Sequence, residues 1–202
     1  MPEPRMPESR TREPRSEPRA LHPVIRRLWP SDAAAVEAYF LRLDPETRAN
    51  RFMGTLSDAA ALAYARRALR IDGVVFGGFV DGTLRALGEL RPTRAPPSRY
   101  RLGAEAEAAF AVERGYRRNG LGHALFRRIA GAARNRGVRD LRVRCLSRNR
   151  PMQNLALRVG ADLRMADGEA EGALHLARPT PVSLWQESVT EAFDFTLALA
   201  AA

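Results

Sequence analysis

The segment 104–136 changes its hydrophobic period halfway along, and this change restricts the fold more than any other feature of the chain. Its first part alternates apolar residues with Glu107, which predicts a strand that is buried on one face. The apolar positions of that strand are Ala106, Ala108, Phe110 and Val112. From residue 121 onward, apolar residues recur every three or four positions and predict an amphipathic helix that ends near Gly137. The order of strand, glycine turn and helix indicates an α/β chain.

Two glycines, Gly120 and Gly122, lie between the predicted strand and helix. The first turn of a helix carries unpaired N–H groups and the positive end of the helix dipole, so it binds anions. Glycines allow a phosphate to approach the backbone closely, and Arg117 and Arg118 add positive charge. A pyrophosphate is therefore the predicted ligand of this turn. A simple tight connection between a strand and a helix is the alternative that these residues leave open.

The pattern Arg117-x-x-Gly120-x-Gly122 resembles the pyrophosphate loop of the GNAT superfamily of acyl-CoA-dependent N-acyltransferases, which reads Arg/Gln-x-x-Gly-x-Gly/Ala. Downstream, LRVRCLSRN and PMQNLALRVGA resemble the next strand and short helix of that family. Upstream, residues 25–52 are similar to the opening strand and helices of the subgroup related to protein-lysine acetyltransferases. The resemblance covers roughly residues 24–178. It implies an α/β (α+β) GNAT-like fold, in which helices flank a central mixed, mostly antiparallel sheet.

The resemblance also implies an activity, namely transfer of an acetyl group from acetyl-CoA to a primary amine, with a protein lysine as one acceptor. Glu107 matches the glutamate of the lysine-acetyltransferase subgroup and is the implied general base. An exposed glutamate on a strand face is the alternative interpretation of this residue. A non-catalytic acyl-CoA sensor or interaction module is the alternative function.

The remaining site residues are implied by the same resemblance. The backbone groups of Phe110, Ala111 and Val112 would pair with the pantetheine arm of acetyl-CoA, as an added strand would. The pyrophosphate would bind at Arg117, Arg118, Asn119, Gly120, Leu121, Gly122 and His123. Asn149 matches an asparagine that contacts the cofactor arm. Ala156 stands where many members have a tyrosine that protonates the leaving thiolate, so water, the proton of the ammonium group or Ser147 must serve instead.

The composition limits the domain count and the location of the protein. A chain of 202 residues with 45% hydrophobic residues can bury one sizeable core. It has no run of about 18 apolar residues, so we expect no membrane segment and a cytoplasmic protein. Its single cysteine, Cys145, lies in phase with a predicted strand and is interpreted as a buried core thiol. No metal site is predicted.

The net charge of +10 comes from arginine alone, because the chain has no lysine. The arginines are spread along the chain without a basic cluster or an aromatic signature, so we expect no nucleic-acid partner. A coding preference for arginine explains the bias instead. Homodimerisation is left open.

Three regions are predicted along the chain. Residues 1–20 repeat Glu-Pro-Arg units and predict a disordered tail. Residues 21–180 would form the acetyltransferase domain, and residues 181–202 an appended helix with Trp185, Val189 and Phe193 on one side. Within the domain, an Asp-Gly pair predicts a hairpin of strands 74–80 and 83–90. A last hairpin is predicted from strands 162–165 and 172–177.

Helices are predicted at 33–43, from 45 toward 51, and from 57 or 58 to 69. In the family, this region covers the acceptor site. Tyr64, Arg48 and Arg51 are interpreted as solvated residues on helix faces, and contact with the acceptor is the alternative.

Overall fold

The computed structural model describes residues 23–98 and 100–200. Within them lie seven strands: β1 Val24–Arg27, β2 Val74–Val80, β3 Thr83–Pro92, β4 Glu105–Val112, β5 Asp140–Leu146, β6 Asp162–Ala166 and β7 Glu169–His175. The same residues form six α-helices: α1 Ala33–Arg42, α2 Pro45–Phe52, α3 Asp58–Ala68, α4 Leu121–Asn135, α5 Arg150–Arg158 and α6 Pro181–Ala200. The predicted disordered tail, residues 1–20, lies outside the described residues.

The seven strands form one sheet in the order β1-β2-β3-β4-β5-β7-β6. Every neighbouring pair is antiparallel except β4 and β5, which are parallel. Helix α4 connects these two strands, and a crossover of that length is what a parallel pair requires. The mixed, mostly antiparallel sheet predicted from the sequence is confirmed.

Helices cover both faces of the sheet and bury two hydrophobic clusters. On one face α4 packs over the central strands, and its buried residues are those predicted from its period: Leu121, Leu125, Phe126, Ile129 and Ala133. On the other face α1 and α3 pack against β3 through Val36, Tyr39 and Phe40, among others. The residues of β4 contribute to both clusters, with Ala106 and Ala108 toward α4 and Ala111 toward α1. The central strand is therefore held between two helical layers.

Both hairpins turn at an Asp-Gly pair. The predicted turn between β2 and β3 is confirmed, with Asp81 and Gly82 at φ of 48° and 72°. At the second hairpin, Asp167 and Gly168 have φ of 48° and 80°. Strand β7 begins directly after them at Glu169, so the prediction that it starts at residue 172 is wrong. A two-residue Asp-Gly turn allows pairing to begin at once, although the acidic residues that follow hide the strand pattern.

Polar residues at the predicted helix starts cap the helices. The Asp44 carboxylate accepts a bond from the Thr47 N–H at 3.0 Å ahead of α2, and the Ser57 hydroxyl accepts one from Ala60 at 3.2 Å ahead of α3. Each bond satisfies an N–H group that has no partner inside the helix. Cys145 is buried as predicted, and burial raises the pKa of its thiol. None of the helices in the described part of the chain combines the length and apolar character needed to cross a bilayer.

Candidate active site

The two central strands separate after three paired residues. Strands β4 and β5 pair only at Glu105 with Asp140, Ala106 with Leu141 and Glu107 with Arg142. Beyond this point β4 continues beside β3 and β5 continues beside β7. The strands therefore enclose a wedge-shaped cleft that begins beside Glu107 and widens toward Val112.

The backbone of β4 presents N–H and C=O groups to this cleft. Residues of an antiparallel strand direct their backbone groups alternately to one neighbour and then to the other side. The Glu113 N–H donates to the Arg85 carbonyl on the β3 side at 2.9 Å, which fixes the phase of this alternation. Phe110 and Val112 consequently direct their backbone groups into the cleft. An extended ligand chain could pair with these groups as an additional strand would.

Ala111, predicted from the sequence as a donor-site residue beside Phe110 and Val112, faces away from the cleft. Its backbone is directed to β3, and its carbonyl accepts a hydrogen bond from the Tyr39 hydroxyl at 2.6 Å. Burial first, and then the charge of Glu113, raises the pKa of Tyr39, so the hydroxyl stays protonated. This bond fastens α1 to the wall of the cleft.

The loop after β4 ends at the mouth of the cleft. Arg118 and Gly120 both adopt a left-handed backbone, with φ of 65° and 80°, and α4 begins directly after Gly120. A Cβ added at Gly122 would lie 3.8 Å from the Val112 side chain. The unpaired N–H groups of the first turn of α4 therefore lie beside the open end of β4. This geometry suits an anionic group at the mouth of the cleft.

The residues predicted to bind the pyrophosphate differ in how exposed their side chains are. Arg118, Asn119, Gly120 and His123 are exposed, and Gly122 is half-buried. Leu121 is buried in the core and can contribute only its backbone. Arg117 is turned back, because its Nε donates to the Val112 carbonyl at 3.1 Å and its guanidinium also bonds to the Thr47 hydroxyl. Arg117 therefore fastens the loop to β4 and α2, and Arg118 is left as the exposed cation.

Glu107 lies at the closed end of the cleft. Its side chain is on the same sheet face as α1 and α3, which cover the other half of that face. It is half-buried, with Arg91 of β3 and Arg142 of β5 as its neighbours in register. Both arginines bind other carboxylates: Arg91 binds Glu89, and Arg142 binds Glu105 and Glu171. Among the described residues, no side chain forms an ion pair or hydrogen bond with the Glu107 carboxylate. It is therefore available to a substrate.

Asn149 and α5 form the far side of the cleft. The Asn149 side chain caps α5 by accepting a hydrogen bond from the Met152 N–H at 3.3 Å. Its amide NH2 group has no partner among the described residues, so it can still donate to a ligand. Ala156 is buried, with 1% of its surface exposed, beside Gly172 of β7. The position of the missing tyrosine is therefore closed, and no proton donor stands there.

A buried ionic cluster, formed by Glu89, Arg51, Arg91 and Tyr64, lies on the same sheet face. Glu89 of β3 is fully buried, and its carboxylate lies 2.8 Å from Arg51 and 2.9 Å from Arg91. The Tyr64 hydroxyl also donates to it. Burial alone would raise the pKa of Glu89, but the two guanidinium groups and the hydroxyl outweigh it and lower this pKa.

The solvated interpretation of Tyr64, Arg48 and Arg51 is therefore wrong. Arg51 belongs to the ionic cluster with Tyr64, and Arg48 is buried where its guanidinium donates to the carbonyls at the end of α1. The sequence carried one signal of this cluster. Glu89 interrupts an apolar strand that is otherwise buried, and a buried carboxylate requires cationic partners.

A cavity of about 650 Å³ lies elsewhere, between α6 and the loops around residues 71–74 and 96–102. None of the predicted site residues lines it. The site described above is an open cleft between the two central strands of the sheet.

A cleft between two diverging parallel strands, with a helix N-terminus at its mouth, is the geometry of an α/β protein that holds an extended anionic ligand. The family model for the acetyltransferase (GNAT) domain matches residues 24–162. The chain belongs to the GNAT acetyltransferase family. No curated protein sequence matches it.

Solved structures show the same fold. The GNAT domain of PAT from S. lividans aligns at a TM-score of 0.65 and 22% identity, over 78% of this chain and 94% of that one. The yncA protein of Salmonella typhimurium, solved with its cofactor acetyl-CoA, aligns at 0.56 and 18%, over 78% and 96%. Ribosomal-protein-alanine N-acetyltransferase from Brucella melitensis aligns at 0.59 and 17%, over 76% and 99%.

Proposed function

We propose that this acetyltransferase transfers the acetyl group of acetyl-CoA to the side-chain amine of a protein lysine, with Glu107 as the general base. The observation that carries the proposal is the position of Glu107. Glu107 is half-buried at the closed end of the cleft, and no described side chain forms an ion pair or hydrogen bond with its carboxylate. In this proposal the chain consists of a tail, an acetyltransferase domain of residues 21–180 and an appended helix.

The donor follows the cleft from its mouth to its closed end. The pyrophosphate lies against the first turn of α4, with backbone N–H groups from Gly120 to His123 and the exposed Arg118 around it. The pantetheine arm extends along Phe110 and Val112 and pairs with their backbone groups. The amide of Asn149 donates to the arm from the opposite side. This order brings the thioester toward Glu107. Acetyl-CoA bound to the yncA protein, a member of the same fold, supports the choice of donor.

The sheet face around Glu107 supports a macromolecular acceptor. Beyond the part covered by α1 and α3, this face presents half-exposed acids and arginines from three strands. Their side chains are between 41% and 49% exposed: Glu105, Arg142, Arg144, Glu169 and Glu171. An open surface of this kind admits a protein loop, and its carboxylates attract a lysine ammonium group.

The reaction requires three proton or charge transfers. Glu107 accepts a proton from the ammonium group, directly or through a water, and the neutral amine then attacks the thioester carbonyl. The C–N bond forms as the C–S bond breaks, and an N–H group of β4 stabilises the negative charge that develops on the carbonyl oxygen. The attacking nitrogen loses its second proton as the amide forms. The leaving thiolate takes one proton, from this nitrogen through solvent or from the protonated Glu107, because the position of Ala156 holds no donor.

The Glu107→Gln variant tests this assignment. It keeps the shape of the side chain but removes the proton acceptor, so turnover should fall by roughly 10²–10⁴-fold. The affinity for acetyl-CoA, measured by isothermal titration, should stay within about twofold, because Glu107 does not bind the donor in this proposal. The loss should shrink toward the lysine pKa of about 10.4, where much of the amine is already neutral. Thiol release with a lysine-containing protein or peptide measures turnover.

Glu105→Gln is the matched control, because Glu105 lies two residues earlier on the same strand and the same face. It should change turnover by less than about threefold, since a half-exposed ion pair contributes little. Unchanged turnover in Glu107→Gln at every pH, or an equal loss in both variants, would refute the role of Glu107 as base.

A further inference from the structure

Helix α6 is attached to the domain by its polar side and presents its apolar side to solvent. All three charged residues of the helix, Glu187, Glu191 and Asp194, face the domain. Their partners are backbone and side-chain groups of β1 and α4: Arg27, Arg128, Asn135 and Arg136. Asp194 is buried, with 3% of its surface exposed. An amphipathic helix on a monomer has the opposite arrangement, with its apolar face toward the core.

The outer face of α6, as we name it here, is apolar along the whole helix. Its large side chains are 36–67% exposed: Val182, Trp185, Val189, Phe193, Leu197 and Leu199. Phe195 and Leu184 lie outside this face, because the Phe195 ring contacts Trp29 with 5.4 Å between the ring centroids and Leu184 lines a cavity beside the domain. Together they expose on the order of 600 Å² of apolar surface, because the aromatic side chains present roughly 150–250 Å² when fully exposed and the aliphatic ones less. This lies at the upper end of the largest apolar patch on a typical monomer, which is about 300–600 Å². A standard interface buries about 800 Å² on each partner, so this face supplies most of the area that a stable dimer needs.

We propose that the outer face of α6 binds the same face of a second copy of this chain, with the two helices antiparallel around a twofold axis near Val189. Such an interface is self-complementary. Trp185 and Phe193 lie four residues on either side of Val189, so each tryptophan meets the phenylalanine of the other helix. Between these large residues lie Ser188, Ala192 and Thr196, whose small side chains leave space for the rings.

The charge of the outer face favours a second copy over a membrane surface. Helices that lie on membranes carry lysine or arginine along their polar side. The polar side of α6 is acidic and already bound to the domain, and its outer face has no charged residue. An uncharged surface also meets its own copy without repulsion, although the chain carries a net charge of +10.

Within this chain, the other segment that could cover the outer face of α6 is residues 1–20. Residues 1–20 contain five prolines and alternate glutamate with arginine, and their apolar side chains are few. This composition is poorly suited to cover a stripe of tryptophan, phenylalanine and leucine. The family match ends at residue 162, before α6 begins, so the interface would be a property of this chain beyond the fold it shares with its family.

Sedimentation equilibrium of the full chain at tens of micromolar tests the proposal. The wild type should have twice the 22.4 kDa mass of one chain. Val189→Arg places two like charges against each other at the axis and should give a monomer whose far-UV circular dichroism matches that of the wild type. Its melting temperature should be lower than that of the dimer, because the partner no longer stabilises the folded chain. Leu41→Arg is the control: Leu41 is an exposed apolar residue of α1, 44% exposed, and this variant should stay dimeric.

A cysteine at position 189 tests the arrangement of the two helices. The chain has one other cysteine, Cys145, which is 3% exposed. Mild oxidation of Val189→Cys should therefore produce a disulfide-linked dimer on a non-reducing gel, and Leu41→Cys should remain a single chain. Absence of the linked species in Val189→Cys would refute the antiparallel arrangement around residue 189.

Four results would overturn the proposal itself. A wild-type monomer at 100 µM would show that no second copy binds. A monomer that dimerises only after residues 1–20 are deleted would assign the outer face to the chain's own N-terminal segment. A monomer that binds phosphatidylglycerol vesicles, and loses this binding in Val189→Arg, would assign it to a membrane. A dimer that persists in Val189→Arg would place the interface elsewhere.

Discussion

Removing the carboxylate at the centre of the buried ionic cluster should strongly destabilise the protein, and Glu89→Gln measures this cost. The substitution keeps the size of the side chain but removes the negative charge between Arg51 and Arg91. The side chains of these arginines are only 9% and 16% exposed, so water cannot replace the lost carboxylate. Breaking a buried ion pair by removing one partner costs about 3–5 kcal/mol. For a chain of this size the melting temperature falls by about 2–4 °C per kcal/mol, which gives a decrease of about 6–20 °C.

The control is Glu171→Gln, which removes a carboxylate from an ion pair with Arg142 in which both side chains are more than 40% exposed. A pair of this kind contributes about 0–1 kcal/mol, so the melting temperature should change by less than about 4 °C. Tyr64→Phe removes one hydrogen bond to Glu89 and leaves both ion pairs. The decrease in melting temperature of Tyr64→Phe should lie between those of Glu89→Gln and Glu171→Gln. Thermal unfolding followed by circular dichroism gives all three values.

The order of the three variants is the test. If Glu89→Gln melts within about 2 °C of the wild type, the cluster contributes little and the buried charges are compensated elsewhere. If Glu89→Gln does not fold at all, Tyr64→Phe still decides the matter, because a loss no larger than that of Glu171→Gln would contradict the reasoning.

Two further predictions concern pH and the donor site. The pKa of Glu89 is lowered in the folded protein, so its contribution to stability is complete above the unfolded pKa of about 4.3 and is lost as the pH falls through the folded pKa. In urea unfolding, the difference in unfolding free energy between the wild type and Glu89→Gln should be constant above about pH 5 and should shrink in acid. A difference that does not change with pH would contradict this prediction. Gly120→Glu places a carboxylate at the proposed pyrophosphate site, where an added Cβ meets no atom within 4 Å, and should weaken acetyl-CoA binding at least tenfold in isothermal titration. Gly120→Asn is its control, because asparagine tolerates the left-handed backbone without adding charge. If the two variants bind acetyl-CoA with equal affinity, the pyrophosphate lies elsewhere.

Local features of the sequence determined most of the fold. The period-two pattern of β4, the glycines before α4 and the Asp-Gly turn after β2 each act within a few residues, so they can be read without knowledge of the rest of the chain. The same local logic failed at β7, where Glu169 and Glu171 obscure the alternation. Glu107 and the glycine turn also lie in one short segment of the sequence, so the sequence alone shows that they are neighbours along the chain. The strand and the helix that form the wall and the mouth of the cleft are adjacent in the chain.

Only the tertiary structure decided how distant residues pair. Glu89, Arg51 and Tyr64 come from β3, α2 and α3, and their burial depends on the packing of two helices over the sheet. Periodicity cannot show that Arg117 turns back to Val112, or that β4 and β5 part after Glu107, because both depend on partners far along the chain or on the twist of the sheet. The sequence likewise predicted that Trp185, Val189 and Phe193 share one side of α6. Which side of that helix faces the domain depends on arginines of β1, of α4 and just after α4, more than 50 residues away along the chain, because these arginines bind its three carboxylates.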